Sequence, residues 1–176
     1  MYMAPGMDDG DIIAQKEIPI EITDNVGIIH DKLSILGRDL LLETLPSIFN
    51  KTNNRIKQDE SEVTFAYNIK REEELIDFNK SALEVYNQIR GMYPFPVAYM
   101  TLDNEIIKVC ESKIGESKKG NIGTITNIYK DGIGIMCLDK EIIITRLKPS
   151  GRKEMNASDF INGRKDKLVG KVVNNI

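Results

Sequence analysis

Residues 97–147 read VAYMTLDNEIIKVCESKIGESKKGNIGTITNIYKDGIGIMCLDKEIIITRL, and this stretch decides the fold. It holds five runs rich in β-branched and apolar residues: Val97 to Leu102, Glu105 to Cys110, Ile122 to Tyr129, Ile133 to Leu138 and Glu141 to Leu147. Turn signals lie between them at Asp103-Asn104, Lys118 to Asn121, Asp131-Gly132 and Asp139-Lys140. Five short strands in succession are too few for an immunoglobulin-type sandwich and suit a small barrel such as an OB-fold.

Just upstream, Ser81-Ala82-Leu83-Glu84 has the S-x-x-E form of a capping box, and Ala82, Val85, Tyr86 and Ile89 line one face of a helix that Gly91 should end. Downstream, a short helix is expected from about Asn156 to Asn162. Lys51 to Glu62 is polar and lacks a sustained period, as expected of a linker between packed units. Before it, Ile29, Leu33, Leu36 and Leu40, extended by Leu41, Leu45 and Ile48, predict an amphipathic helix over about Asn25 to Asn50, with Asp24 available as its cap. Such a stripe is expected to pack against a sheet. The chain opens with two short predicted strands, Met1 to Met3 and Ile12 to Gln15, around a loop carrying Asp8, Asp9 and Asp11.

At 176 residues, 41% hydrophobic and 29% charged, the chain is long enough for one large domain or two small ones with a real core. Its charge is unevenly spread. Before Ile107 there are 10 Lys and Arg against 19 Asp and Glu, net −9; from Ile107 onward 14 stand against 8, net +6, giving the overall −3. The second part is therefore the one suited to an anionic partner, with nucleic acid the first candidate. No apolar run reaches the roughly 18 residues a bilayer span needs, so no membrane partner and a cytoplasmic location are expected. Cys110 and Cys137 stand far apart without CxxC or HxxxH partners, which excludes a zinc motif and predicts reduced, half-buried thiols; no metal is expected.

Several blocks in order resemble the methionyl-tRNA formyltransferase family: Gly6-Met7-Asp8-Asp9-Gly10-Asp11-Ile12, His30-Asp31-Lys32-Leu33, Gln58-Asp59-Glu60, Arg90-Gly91-Met92-Tyr93-Pro94-Phe95-Pro96, Leu147 to Lys153, and Met155 to Gly163. Asp9 stands where the family usually has Thr, Phe78 and Phe95 where it has Trp, and Val97 at a common Gly. The resemblance implies an α/β remnant of a Rossmann-like formyltransferase domain over 1–51, a linker over 52–71, and a small OB-like β-barrel with flanking helices over 72–176 that binds tRNA. It also implies that the family's Asn, His and Leu-Leu-Pro segment belongs upstream of Met1, making this chain a fragment whose activity alone is not expected.

The implied reaction moves a formyl group from 10-formyltetrahydrofolate to the amino group of methionyl initiator tRNA. An acyl transfer of this kind passes through a tetrahedral intermediate and needs oxyanion donors and a route for the amine proton. By its place in the block, Asp8 is the catalytic residue the resemblance assigns, orienting the family's His and placing a proton-relaying water; Gly10 would let the loop approach the pterin. From the residues alone, the same loop reads as a turn whose carboxylates cap backbone N–H groups. Asp11 is expected to cap or pair locally, and the lone His30 to be structural. The tRNA side is expected on Lys70, Arg71, Arg90, Lys148, Arg152, Lys153, Arg164 and Lys165, with Arg90 alternatively pairing with Glu84 or a neighbouring carboxylate. Tyr93, Phe95 and Tyr99 are expected to fill the barrel core. A monomer is expected. A second reading is a stand-alone RNA-binding barrel without catalysis, and a third a residual product with no function.

Overall fold

The computed structural model describes residues 1–117, 119–162 and 165–174, without the side chains of Lys165 and Asp166. Its contacts divide the chain into two compact units, Met1–Asp24 with Ile28–Asn68, and Asn25–Gly27 with Ile69–Ile176.

In the second unit the predicted alternation becomes β1 (Tyr99–Leu102), β2 (Glu105–Ile114), β3 (Ile125–Ile128), β4 (Ile133–Met136) and β5 (Glu141–Pro149). A two-residue β6 (Met155–Asn156), absent from the sequence reading, pairs with β5. All pairings are antiparallel and form one sheet ordered β1-β2-β5-β4-β3. Asp103 and Asn104, both in the left-handed region at φ 52° and 64°, make the tight turn between β1 and β2. Register shifts on either side of Glu111 break the β2–β5 ladder, and there Val109 and Cys110 are both buried instead of alternating. Such an irregularity bends and twists a strand, which lets the sheet curl.

The tail joins the two outer strands of the curl. Gly170 N–H donates to Ile125 O (2.8 Å), Ile125 N–H to Lys171 O (2.8 Å) and Val173 N–H to Gly123 O (2.9 Å), while Asn174 exchanges a pair of bonds with the Thr101 backbone (2.9 and 2.8 Å). Asn174 Nδ2 also donates to Ile76 O at 2.7 Å. Backbone groups on β3 and β1 that would face solvent are satisfied in this way. The result is a curled antiparallel half-barrel with a few helices, consistent with an OB-like fold.

α2 (Ala82–Met92) presses Ala82, Val85 and Ile89 into the barrel core beside Ile107, Ile125, Ile135, Ile144 and Leu147. Its capping box forms as expected: Ser81 Oγ accepts from Glu84 N–H (3.3 Å) and a Glu84 carboxylate oxygen accepts from Ser81 N–H (3.0 Å). Gly91, however, lies inside the helix. The stop is set by Tyr93, which is extended because Pro94 follows it. The short helix α3 (Ala157–Ile161) buries Phe160 and Ile161, and a single turn, α4 (Lys165–Leu168), follows.

Phe95 departs from expectation. It is 82% exposed, because Val97 N–H donates to Met92 O (2.8 Å) and closes a turn with Phe95 near its apex. Tyr93 and Tyr99 are only half-buried, since Ala98 and Met100 occupy the core positions of this corner.

α1 (Val26–Phe49), which belongs to the first unit from Ile28 onward, matches its predicted span. The Lys51 and Thr52 N–H groups bond Ile48 O and Ser47 O (3.1 and 2.9 Å), with Lys51 at φ 55° past the helix end. The stripe on α1 does not pack on a sheet: no residue of the helix is buried, and Leu33 and Leu41 lie about half exposed. The predicted opening strands reduce to one antiparallel bridge, Ile12 with Ile56, because a strand needs a ladder and only one residue faces Ile12.

The cysteines are more deeply buried than expected. Burial pushes both thiols up to about 12, with the Glu154 carboxylate adding at Cys110 and the Asp139 charge at Cys137. Since the thiolate is the reactive form, iodoacetamide near pH 8 should leave both unmodified in folded protein and alkylate both in denaturant, as read by intact mass; native labelling at the denatured rate would contradict this burial. Val97 provides a second check. It holds φ 75°, a conformation that costs a β-branched residue about 1–2 kcal/mol. Allowing for the unfolded-state entropy of glycine, Val97→Gly should gain about 0.5–1 kcal/mol and raise the melting temperature of the barrel by roughly 2–6 °C in a calorimetric scan.

Candidate functional site

The carboxylate loop of the first unit is held by side chains from residues 53–58. Tyr2 N–H donates to Asp11 O (2.9 Å), closing the loop, and the Tyr2 hydroxyl donates to Asn53 Oδ1 (3.1 Å). Arg55 stacks its guanidinium 4.4 Å from the Tyr2 ring centre and pairs with Asp11 at 2.9 Å. Asp11 thus pairs with a residue 44 positions away, where a local partner was expected. Gln58 Nε2 donates to both Asp8 O and Gly10 O, each at 2.8 Å. Residues 53–58 therefore bind back onto the loop instead of running free as a tether.

Within this frame Asp8 stands at φ 57° with an exposed side chain. Asp is one of the few non-glycine residues that adopts this conformation readily. Gly10 is buried, and a Cβ there would lie 1.8 Å from Tyr2 O, so the close approach that requires glycine is to the chain's own backbone. The loop presents a carboxylate on a turn with little freedom, a geometry that suits orienting a neighbouring donor or an ordered water.

The second unit carries a cationic row across the sheet. The Arg71 guanidinium lies 4.1 Å from the Tyr99 ring centre; Tyr99 is directly opposite Lys108 on β2, and Lys108 is opposite Lys148 on β5. Partners in register share a face, so Arg71, Tyr99, Lys108 and Lys148 line one side. Arg71 also pairs with Glu74, and Lys108 Nζ reaches Pro96 O at 3.1 Å. Beyond Lys148 the chain turns through Gly151 at φ 68°, with Arg152 N–H donating to Pro149 O (3.1 Å), and exposes Arg152 and Lys153. Among the described residues, Lys148, Arg152 and Lys153 have no ion-pair partner, whereas nearby Arg146 is held by Glu154 (2.6 Å) and Glu111 (3.4 Å).

The structure thus brings Arg71 and Lys148 together and leads on to Arg152 and Lys153. Lys108 was missed; its signal was the alternation Ile106-Ile107-Lys108-Val109 on a strand of the basic segment. Lys70 is exposed at the start of the 3-10 turn Arg71–Glu74. Arg90 donates to Asn87 Oδ1 (2.8 Å) and approaches the Tyr86 ring at 5.9 Å; Glu84, one of its expected partners, is engaged in the capping box. Arg164 and the Lys165 side chain lie outside the described residues. His30 is exposed, with Asp31 3.3 Å from its Nδ1. Among the described residues no group of three or more His, Cys, Asp or Glu could hold a metal ion, and no helix is long and apolar enough to cross a membrane.

The curled half-barrel unit matches a family of formyl transferase C-terminal domains. The model of that family, described as formyl transferase, C-terminal domain, matches residues 68–165, more than half of the chain, and the chain belongs to it. Over 170 residues it is 48% identical to the methionyl-tRNA formyltransferase of Macrococcus caseolyticus, covering 97% of this chain and 54% of that protein. The corresponding protein of Staphylococcus epidermidis is 47% identical over 174 residues, 98% of this chain and 56% of its own length. The chain therefore spans about half the length of the relatives it matches. HypX from Aquifex aeolicus superposes with a TM-score of 0.73 at 14% identity, over 96% of this chain and 30% of that one. A HypX structure in complex with tetrahydrofolic acid gives 0.71 at 16%, over 94% and 29%. These two likenesses are of fold.

Proposed function

We propose that this chain is part of a methionyl-tRNA formyltransferase and serves transfer of a formyl group from 10-formyltetrahydrofolate to the amino group of methionyl initiator tRNA in translation initiation in the cytoplasm. On this reading residues 1–51 end the catalytic domain as an α/β remnant of its Rossmann-like sheet, 52–71 link, and 72–176 form the OB-like tRNA-binding domain of a monomer. The observation that carries the reading is the extent of the likeness. It runs over 170 residues, taking in the Asp8 loop as well as the barrel, and a stand-alone RNA-binding barrel has no use for that loop. The half-exposed leucines of α1 support it too, since a helix without a buried residue is what the end of a larger domain presents.

The division of labour follows from the two sites. Asp8 orients the catalytic imidazole and a water that carries the amine proton, and Gly10, packed on Tyr2 O, lets the turn close tightly beside the position proposed for the pterin. Arg71, Lys108, Lys148, Arg152 and Lys153 meet phosphates by charge, with Lys70, Arg90, Arg164 and Lys165 as flanking contacts. Phosphate contacts of this kind position a nucleic acid without reading its bases.

Catalysis is tested in the Macrococcus caseolyticus relative with this chain replacing its matched segment. Asp8→Asn should lower formylation by a factor on the order of 10² or more, because orientation and proton relay are lost together; near-normal turnover removes Asp8 from the reaction. Binding is tested on the chain itself with initiator tRNA across a salt series. With about three to five phosphates neutralised, log affinity should fall against log salt with a slope of roughly −2 to −4. Replacing Lys148, Arg152 and Lys153 together by Ala should flatten it by about two to three units, and salt-independent binding leaves the row as solvated surface.

A further inference from the structure

We infer that Gln58 is a positioning residue for Asp8, acting through the backbone of the turn that carries it; the inference rests on the reading of Asp8 given above. A primary amide has two N–H donors, and Gln58 directs Nε2 at two carbonyls that flank Asp9, those of Asp8 and Gly10, at 2.8 Å each. One side chain thereby fixes both ends of the segment in which Asp8 adopts φ 57°.

The other anchors act elsewhere. Asn53, Arg55 and Ile56 hold Tyr2, Asp11 and Ile12, the two ends of the loop. Gly10 has no slack, since Tyr2 O occupies the space where its Cβ would stand. Loss of the Gln58 amide therefore frees the Asp8 and Gly10 carbonyls while the loop stays closed at its ends. The expected consequence is a carboxylate still present but no longer held in one orientation. Gln58 itself is half-buried beneath the turn and touches no reacting atom on this account.

The test uses the same Macrococcus-based protein and two variants that preserve side-chain length. Gln58→Met removes the donors, and Gln58→Glu sets a carboxylate against the two carbonyls. Turnover is expressed per folded molecule, from the amplitude of the thermal transition. Both variants should lower kcat by about tenfold or more, the scale expected when a reacting group is slightly misplaced, while KM for methionyl-tRNA stays within about twofold. The Asp8→Asn, Gln58→Met double variant should be no slower than Asp8→Asn alone, because an unoriented carboxylate and an absent one are equivalent losses. If Asp8→Asn collapses turnover while both Gln58 variants remain near the parent, this inference fails and the reading of Asp8 stands. If the two losses multiply, Gln58 acts on the scaffold at large and the inference fails. Normal turnover in Asp8→Asn overturns both.

Discussion

The ladder between β2 and β5 is the interaction on which the rest of the barrel depends. It joins Ile107 to Pro149 and Ile114 to Ile142, pairing segments some thirty to forty residues apart, and it places β5 between β2 and β4. Chain entropy opposes such long-range pairing; apolar burial on the inner face offsets it. Val109 and Leu147 are opposite one another there, both fully buried. The same register sets Lys108 against Lys148 on the other face. A cationic row and a dry core are thus two sides of one alignment, and a shift by one residue would exchange them.

A fully buried carboxylate lies inside this apolar sheet. Glu141 opens β5 fully buried, with its two carboxylate oxygens accepting from the hydroxyls of Thr126 and Tyr129, the latter at 2.5 Å. A buried carboxylate is costly unless it is hydrogen-bonded, and here both donors come from β3 and the residue after it. The carboxylate therefore ties β5 to β3 across the intervening β4, a link the ladders themselves do not make. Truncating it would take an acceptor from two half-buried hydroxyls and leave Thr126 Oγ1 only Gly134 O, at 3.3 Å, so it constrains where β3 lies as well as how much it binds.

What was legible in the sequence was what local chemistry determines. The strands, the Asp103-Asn104 turn, the Ser81 to Glu84 capping box and the span of α1 all follow from patterns within a few residues. What escaped was set by partners distant in the chain. Residues 53–58 read as linker because their bonds run to residues 2–12, some fifty positions back. Tyr93, Phe95 and Tyr99 read as core because they are aromatic, yet the turn closed by Val97 and Met92 faces Phe95 outward. Lys108 was passed over because the alternation around it marks a strand face and only the register shows that this face holds Tyr99 and Lys148. Gly91 misled for a simpler reason: a following proline ends a helix whether or not a glycine is near.

A net charge of −3 does not argue against an anionic partner for the basic face. At physiological ionic strength, charges separated by more than about 8 Å are largely screened, so the sum over the whole chain says little about the field at one face. The groups that matter are those within one screening length, and three carboxylates of this unit are held in ion pairs beside the row. Glu154 and Glu111 are engaged by Arg146, and Glu74 by Arg71. Glu154 and Glu111 share one guanidinium and keep a net −1 between them, which the three cations Lys148, Arg152 and Lys153, unpaired among the described residues, outweigh, so the face stays positive for whatever approaches it. Arg146, the one strand arginine beside them, contributes indirectly: by occupying two carboxylates it leaves the lysines without internal competitors.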